Sequence, residues 1–100
     1  MNKIERFRLS LDDEQIIQMP KNFRLLKTSS TGLEINCWAV VDRSNDIQDV
    51  KFRLKRTGAK VHGLEGYVDT VFLNDQAYHV FVDVTNFVPD DLNPFLNEVF

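Results

Sequence analysis

Apolar and polar residues alternate with a period of two through most of the chain, a pattern typical of β-strands that bury one face. The clearest case joins three apolar residues to three cations: Val50-Lys51-Phe52-Arg53-Leu54-Lys55. Short strands spaced by about ten residues are typical of sandwiches and barrels. The sequence therefore predicts an all-β fold, a small single-domain sandwich or partly open barrel of about seven strands, with a short C-terminal helical tail.

The strand pattern covers a β domain that we place at residues 1–84. The predicted strands are residues 6–11, 15–19, 23–28, 33–41, 50–55, 67–73 and 77–84. Pro20 ends the second strand because it cannot donate to a ladder, and Asn74-Asp75 forms the turn of the last hairpin. Residues 33–41 are apolar on both faces, so we expect this strand to be central and covered on both sides.

Residues 85–100 form a tail that breaks the strand pattern. Asn93 could cap a short helix with Pro94 at its first position. Four apolar residues would then lie along one side, preceded by two acids: Phe95, Leu96, Val99 and Phe100, after Asp90 and Asp91. One or two helical turns are marginal alone, so we expect this tail to dock on its own core or on another chain.

Charge is divided unevenly along the sequence. Residues 1–60 contain all twelve Lys and Arg and carry a net charge of +4, whereas residues 61–100 carry −7. If the first and fifth strands lie close together, one basic stripe results, made of Arg6, Arg8, Lys51, Arg53, Lys55, Arg56 and Lys60. A basic strand face can track single-stranded nucleic acid. A solvated face that limits edge-to-edge pairing is the simpler interpretation, and the sequence pI of about 5.2 favours it.

No set of residues predicts catalysis or metal binding. Cys37 has no disulfide partner and is interpreted as a small buried hydrophobe. Cys37, His79 and Asp69 could be drawn as a nucleophile triad, but no elbow motif surrounds the cysteine. His79 and His62 lack metal-ligand spacing. We therefore predict no catalytic residue, no metal, no cofactor and no enzymatic activity.

Trp38 is the large aromatic with two alternative roles. If residues 33–41 are covered on both sides, Trp38 belongs to the core. If they are not, it is a candidate hot spot of a protein interface.

Several short motifs, in order over residues 4–82, resemble a family of small phage and prophage proteins of unknown function. The motifs are Ile4-Glu5-Arg6-Phe7-Arg8-Leu9, Asp13-Glu14-Gln15-Ile16-Ile17-Gln18-Met19-Pro20, Cys37-Trp38-Ala39-Val40-Val41-Asp42, Thr57-Gly58, Tyr67-Val68-Asp69-Thr70-Val71 and Tyr78-His79-Val80-Phe81. Asn22, Arg56 and Asp69 each stand where that family tends to have Gly. The resemblance implies a phage-type genome and a compact β domain, and it implies no activity.

The function we expect is that of a non-enzymatic accessory protein that binds a host or phage protein, with inhibition of a host protein or defence system as one form of this. The charge division also allows a homo-oligomer. The alternative is a module for single-stranded nucleic acid or a nucleotide-like ligand on the basic strand face. Neither an apolar leader nor a run of about 18 apolar residues is present, so we expect no membrane contact and a place in the host cytoplasm.

Overall fold

The computed structural model describes residues 1–85 and 87, and seven strands account for most of them. Their bounds are β1 (Asn2–Leu9), β2 (Glu14–Pro20), β3 (Arg24–Thr31), β4 (Glu34–Asp42), β5 (Ile47–Arg56), β6 (Glu65–Leu73) and β7 (Gln76–Asp83). All strand pairs are antiparallel. The prediction of an all-β domain of seven strands is confirmed. The predicted helical tail lies outside the described residues.

The strands form two sheets that enclose one core. The three-stranded sheet has the order β1-β4-β3 and the four-stranded sheet the order β2-β5-β7-β6. The inward residues of β4 and β5 are almost fully buried and belong to a single cluster: Ile35, Cys37, Ala39, Val41, Val50, Phe52 and Leu54. Because side chains alternate between faces, this burial fixes the register of both strands.

Strand β4 is central in its sheet, as the apolar pattern predicted, but only one of its faces lies against another sheet. Trp38 and Val40 on the second face are half-buried. The expectation that both faces are covered holds only in part: Asn36 on the second face is 3% exposed, but within residues 1–85 and 87 no third sheet lies over β4.

The two sheets approach each other at the corner between β3 and β6. The backbone N–H of Thr28 donates to Asp69 Oδ2 at 3.2 Å, and the Ser30 hydroxyl donates to the carbonyl of Phe72 at 2.6 Å. Side chains rather than a backbone ladder join these edges. Each strand also shifts its register near this corner, between Leu25 and Lys27 in β3 and between Tyr67 and Asp69 in β6.

Tight turns account for the remaining chain reversals. Asn74 and Asp75 have φ angles of 51° and 63° and connect β6 to β7, which confirms the predicted hairpin. Asn22 has a φ of 62°. Asn tolerates this left-handed region better than most residues, so it adopts a conformation for which Gly is the usual choice.

Two residues assigned to buried strand faces are exposed instead. Leu11 and Leu33 are 45% and 69% exposed, because β1 ends before Leu11 and β4 begins after Leu33. Within the described residues, no helix has the length and apolar character needed to cross a membrane.

Candidate interaction surface

The outer face of the three-stranded sheet holds Trp38 between two cations. The register places Arg6 of β1 on one side of Trp38 and Lys27 of β3 on the other. Directly opposed residues point to the same side of a sheet. The neighbours of Trp38 along β4, Cys37 and Ala39, are fully buried, so the row of three faces outward. Arg6 and Lys27 are exposed and Trp38 is half-buried.

Two further rows flank this one. On one side Val40 lies between Ile4 and Arg24, and on the other Asn36 lies between Arg8 and Ser29. Ile4 is 65% exposed. We call the three rows together the Trp38 surface: Ile4, Arg6, Arg8, Arg24, Lys27, Ser29, Asn36, Trp38 and Val40.

The cations of the Trp38 surface are mostly unpaired. Arg8 Nε lies 3.3 Å from Glu34 Oε2, and both side chains are exposed. Arg6, Arg24 and Lys27 form no ion pair with any residue among 1–85 and 87. The surface therefore presents net positive charge on a chain whose overall charge is −3, which attracts acidic ligands.

Asn36 supplies an unsatisfied acceptor on the same face. Asn36 is only 3% exposed, yet its Oδ1 atom has no hydrogen-bond partner among the residues that the structure describes. Buried polar atoms almost always have a partner. The orphan oxygen lies in the row of Arg8 and beside Trp38 on β4, but it is buried, so a ligand at this face reaches it only if the side chains around it move.

The register shift in β3 explains why two of the cations were missed. With strict alternation, Arg24 and Lys27 would point to opposite faces, because they are three positions apart in the sequence. The extra residue Leu26 leaves Arg24 opposite Val40 and Lys27 opposite Trp38, so both lie on one face. No residue type near Leu26 marks such a bulge, and the sequence therefore held no usable signal.

The predicted single basic stripe does not form, because β1 and β5 belong to different sheets. Arg6 and Arg8 lie on the Trp38 surface. The cations of β5 lie on the outer face of the four-stranded sheet, where their neighbours are acids of β2, β6 and β7. The predicted stripe required the first and fifth strands to lie close together in one face, and they do not.

Arg53 is the centre of the ion-pair network on the four-stranded sheet. Its Nη2 donates to Asp83 Oδ2 at 2.8 Å and its Nε to Glu14 Oε2 at 3.2 Å, while Nη1 lies 3.5 Å from Glu65 Oε2. Burial opposes the charge of Arg53, but hydrogen bonds to Glu14 and Asp83 outweigh burial and raise its pKa. The hydrogen bond from Arg53 and the charge of Lys51 lower the pKa of Glu14.

The remaining cations of β5, Lys55 and Arg56, also contact protein groups. Lys55 Nζ lies 3.2 Å from Oε1 of Glu65, a carboxylate only 1% exposed. Lys55 also donates to the carbonyl of Lys60 at 2.7 Å. The Arg56 guanidinium lies 5.0 Å from the centroid of the Tyr78 ring. Lys51, Arg53 and Lys55 are thus paired with acids, whereas Arg56 and Lys60 form no ion pair within residues 1–85 and 87.

Cys37, His79 and Asp69 are not brought together as a nucleophile triad. Cys37 is fully buried between the sheets, where burial and then the charge of Asp69 raise the pKa of its thiol to about 12. The thiolate that would act as nucleophile is therefore suppressed. His79 faces away from this core, and its Nε2 and Nδ1 atoms each lie 2.9 Å from a threonine hydroxyl, those of Thr57 and Thr70.

His62 is exposed, and its backbone N–H donates to Glu65 Oε1 at 2.8 Å. Over residues 1–85 and 87, no group of three or more His, Cys, Asp or Glu side chains is arranged to hold a metal ion. The predicted tail candidates all lie outside the described residues: Asp90, Asp91, Phe95, Leu96, Val99 and Phe100.

Comparison with known proteins gives one match. A family model described as a domain of unknown function, DUF7352, matches residues 1–89. No curated protein and no solved structure matches the chain.

Proposed function

Because the chain belongs to the DUF7352 family, a domain of unknown function, we propose from its own surface chemistry that it is a non-enzymatic protein-binding module. In this proposal the Trp38 surface binds an acidic, partly apolar face of a partner protein. The observation that carries the proposal is the row Arg6–Trp38–Lys27, in which an outward Trp lies between two cations that have no acidic partner in residues 1–85 and 87.

The residue types of this surface are those that dominate protein interfaces. Trp and Arg are the residues most enriched among interface hot spots. Ile4 and Val40 lie beside Trp38 and offer apolar contact area next to the charge. The cations would guide an acidic partner to the surface.

Single-stranded nucleic acid is the alternative ligand, and the surface supports it less well. Strand binders use several aromatic side chains as stacking platforms, whereas the Trp38 surface has one. The overall acidity of the chain also opposes a nucleic-acid ligand. Acids pair with three cations of the predicted stripe, Lys51, Arg53 and Lys55, which reduces the free charge that it offers to such a ligand.

The biological setting belongs to the same proposal. The motifs between Ile4 and Phe81 support a phage-type accessory protein, and such a protein would act in the cytoplasm of the host cell. Its partner would then be a host or phage protein, and occupation of an acidic functional site on that partner would inhibit it.

The test is affinity capture from a host lysate with four forms of the chain. The wild type is compared with Trp38→Ala and Arg6→Glu, and with the control Ile16→Ala, which removes a 57% exposed apolar side chain from β2 of the other sheet. Loss of a hot-spot Trp costs at least about 2 kcal/mol, or roughly 30-fold in affinity. We expect one protein to be captured by the wild type and the control but not by the two surface variants.

Capture that is equal for all four forms would contradict the proposal. Binding of an oligothymidylate at low salt, lost steeply with added salt and abolished by Arg6→Glu, would move the ligand to single-stranded nucleic acid.

A further inference from the structure

Strand β1 leaves one edge of the three-stranded sheet without a backbone partner. It pairs with β4 over its whole length, from Asn2 to Leu9, in one unbroken register. Within residues 1–85 and 87, its backbone groups form no hydrogen bond outside that ladder. In an antiparallel pair, alternate residues direct their N–H and C=O groups to the same neighbour. About half of the backbone groups of β1 therefore point away from β4 and are available to another strand.

The other edges of the two sheets are protected in ways that β1 is not. β3 and β6 meet at their corner, where the Asp69 and Ser30 side chains bond to backbone groups of the opposite strand, and both strands carry a bulge. β2 ends in Pro20, which has no N–H to donate. Natural edge strands are commonly short, bulged or interrupted by Pro, whereas β1 is regular over eight residues. It is therefore the edge best suited to strand addition.

Two charges on the core-facing side of β1 select which strand can be added. Lys3 and Glu5 lie opposite the buried residues Val41 and Ala39, so they point to the side of the sheet that carries the core. Inward-pointing charges protect an edge from strands that lack the opposite charge. The Lys3 side chain is 61% exposed and that of Glu5 is 22% exposed. Both side chains can therefore contact an incoming strand, which must carry an acid and a base at matching positions.

A second copy of β1 meets this requirement in one register. A two-fold axis perpendicular to the sheet keeps both cores on one side and places one residue in the middle of β1 opposite itself. Placing Lys3, Glu5 or Arg6 at the axis opposes two identical charges. Placing Phe7 there opposes Arg6 to Arg8 twice. Like charges directly opposite each other are destabilising, so these registers are disfavoured.

Placing Ile4 at the axis gives the complementary register. Each Lys3 then lies opposite the second copy's Glu5, and no like charges are directly opposed. Ile4, which is 65% exposed in the single chain, lies against its own counterpart. Glu5 lies between Arg43, which donates to it at 2.8 Å, and the second copy's Lys3. Charge, apolar contact and backbone pairing therefore favour the same register.

We propose that two copies of this chain associate through β1, in antiparallel pairing centred on Ile4. The pairing joins two three-stranded sheets into one sheet of six strands, because β1 is the edge of each. The two Trp38 surfaces then form one continuous outer face. This inference stands apart from the proposed function, because Lys3 and Glu5 lie on the opposite side of the sheet from Trp38. Where both hold, the dimer presents the Trp38 surface twice, and a partner with two acidic sites gains avidity.

The test is a charge exchange at the two inward positions, followed by sedimentation equilibrium of the full chain over a range of concentrations. Lys3→Glu opposes acid to acid, and Glu5→Lys opposes base to base. Since two symmetric pairs are reversed, each change should weaken self-association by roughly tenfold. The control Lys60→Glu makes the same change in charge as Lys3→Glu on an exposed loop residue outside β1, and it should associate like the wild type.

Mixing the two single variants separates pairing across the axis from damage to the fold. A chain with Lys3→Glu carries two acids at these positions and a chain with Glu5→Lys carries two bases, so both opposed pairs are restored in a heterodimer. We expect the mixture to associate although neither variant does so alone at the same concentration. The double variant Lys3→Glu/Glu5→Lys should associate with itself, and circular dichroism should show all variants folded.

A wild type that stays monomeric at the highest concentration reached would overturn the inference, since the edge would then belong to another strand. Self-association that is unchanged in both single variants would also overturn it. So would loss in both variants without recovery in the mixture, because the two residues would then not face each other across the axis. If Lys3→Glu and the wild type are both monomeric and both capture the partner that Trp38→Ala loses, this inference fails and the proposed function stands.

Discussion

The outer faces of the two sheets carry similar numbers of cations in opposite electrostatic states. On the four-stranded sheet, Arg53 contacts three carboxylates and Lys55 contacts the buried Glu65. On the three-stranded sheet, Arg6, Arg24 and Lys27 have no acidic partner within residues 1–85 and 87. Alternating basic strands thus form a structural network on one face and an open charged surface on the other. The difference lies in the neighbouring strands and not in the basic strand itself.

The largest expected difference between the two faces is in stability. Arg53→Ala removes a partner of Glu65, which is 1% exposed, and leaves part of a buried charge uncompensated. We expect a loss of about 2–3 kcal/mol in the free energy of unfolding. Arg24→Ala, the matched change on the Trp38 surface, should alter stability by less than about 0.5 kcal/mol. Urea unfolding of both variants measures this, and equal losses would remove the distinction.

Much of this architecture follows from the sequence, because alternation is a local property. The buried faces of β4 and β5 and the hairpin at Asn74-Asp75 were all predicted from residue types. Strand pairing is not local. Arg53 meets Glu14 and Asp83 across separations of 39 and 30 residues, and no pattern within β5 shows which strands will flank it.

The candidate surface was less predictable than the fold for a second physical reason. Trp38 and Arg6 were named as candidates, but their direct opposition depends on the pairing of β1 with β4. Arg24 and Lys27 join them only because the extra residue Leu26 changes the alternation of β3. A single bulge reassigns every later side chain of a strand to the other face, and strict period-two reasoning cannot detect it.

Acid should weaken the network of the four-stranded sheet through its carboxylates. Hydrogen bonds from Arg53 and the charge of Lys51 lower the pKa of Glu14 below its ordinary value of 4.5. Burial raises the pKa of Asp83, but hydrogen bonds from Thr85 and Arg53 outweigh burial and hold it below 3.8. A lowered pKa stabilises the fold above the ordinary value, and this contribution is lost as the pH falls through the lowered one.

We therefore expect the free energy of unfolding to fall below pH 4.5, and to fall less steeply in Arg53→Ala than in Arg24→Ala. Glu5, whose pKa is about 2 because of its hydrogen bond from Arg43, contributes equally to both variants. Urea midpoints measured across this pH range give the two slopes. Parallel slopes would show that the network makes no contribution that depends on Arg53.

The smallest effect is also the one that separates stability from function. On the Trp38 surface, Lys27→Glu replaces one of several like charges by an opposite charge, so it should raise stability by about 0.3 kcal/mol at low salt. Lys51→Glu on the other sheet breaks the contact with Glu14, 3.6 Å away, and adds repulsion there, so it should lower stability. Thermal unfolding at low and high salt tests this pair.

If Lys27→Glu is more stable than the wild type and fails to retain the captured partner, the cations of the Trp38 surface lower stability and are needed for binding, as expected at a functional surface. If it destabilises the chain as much as Lys51→Glu does, the cations of both faces are structural and the Trp38 surface loses its special status.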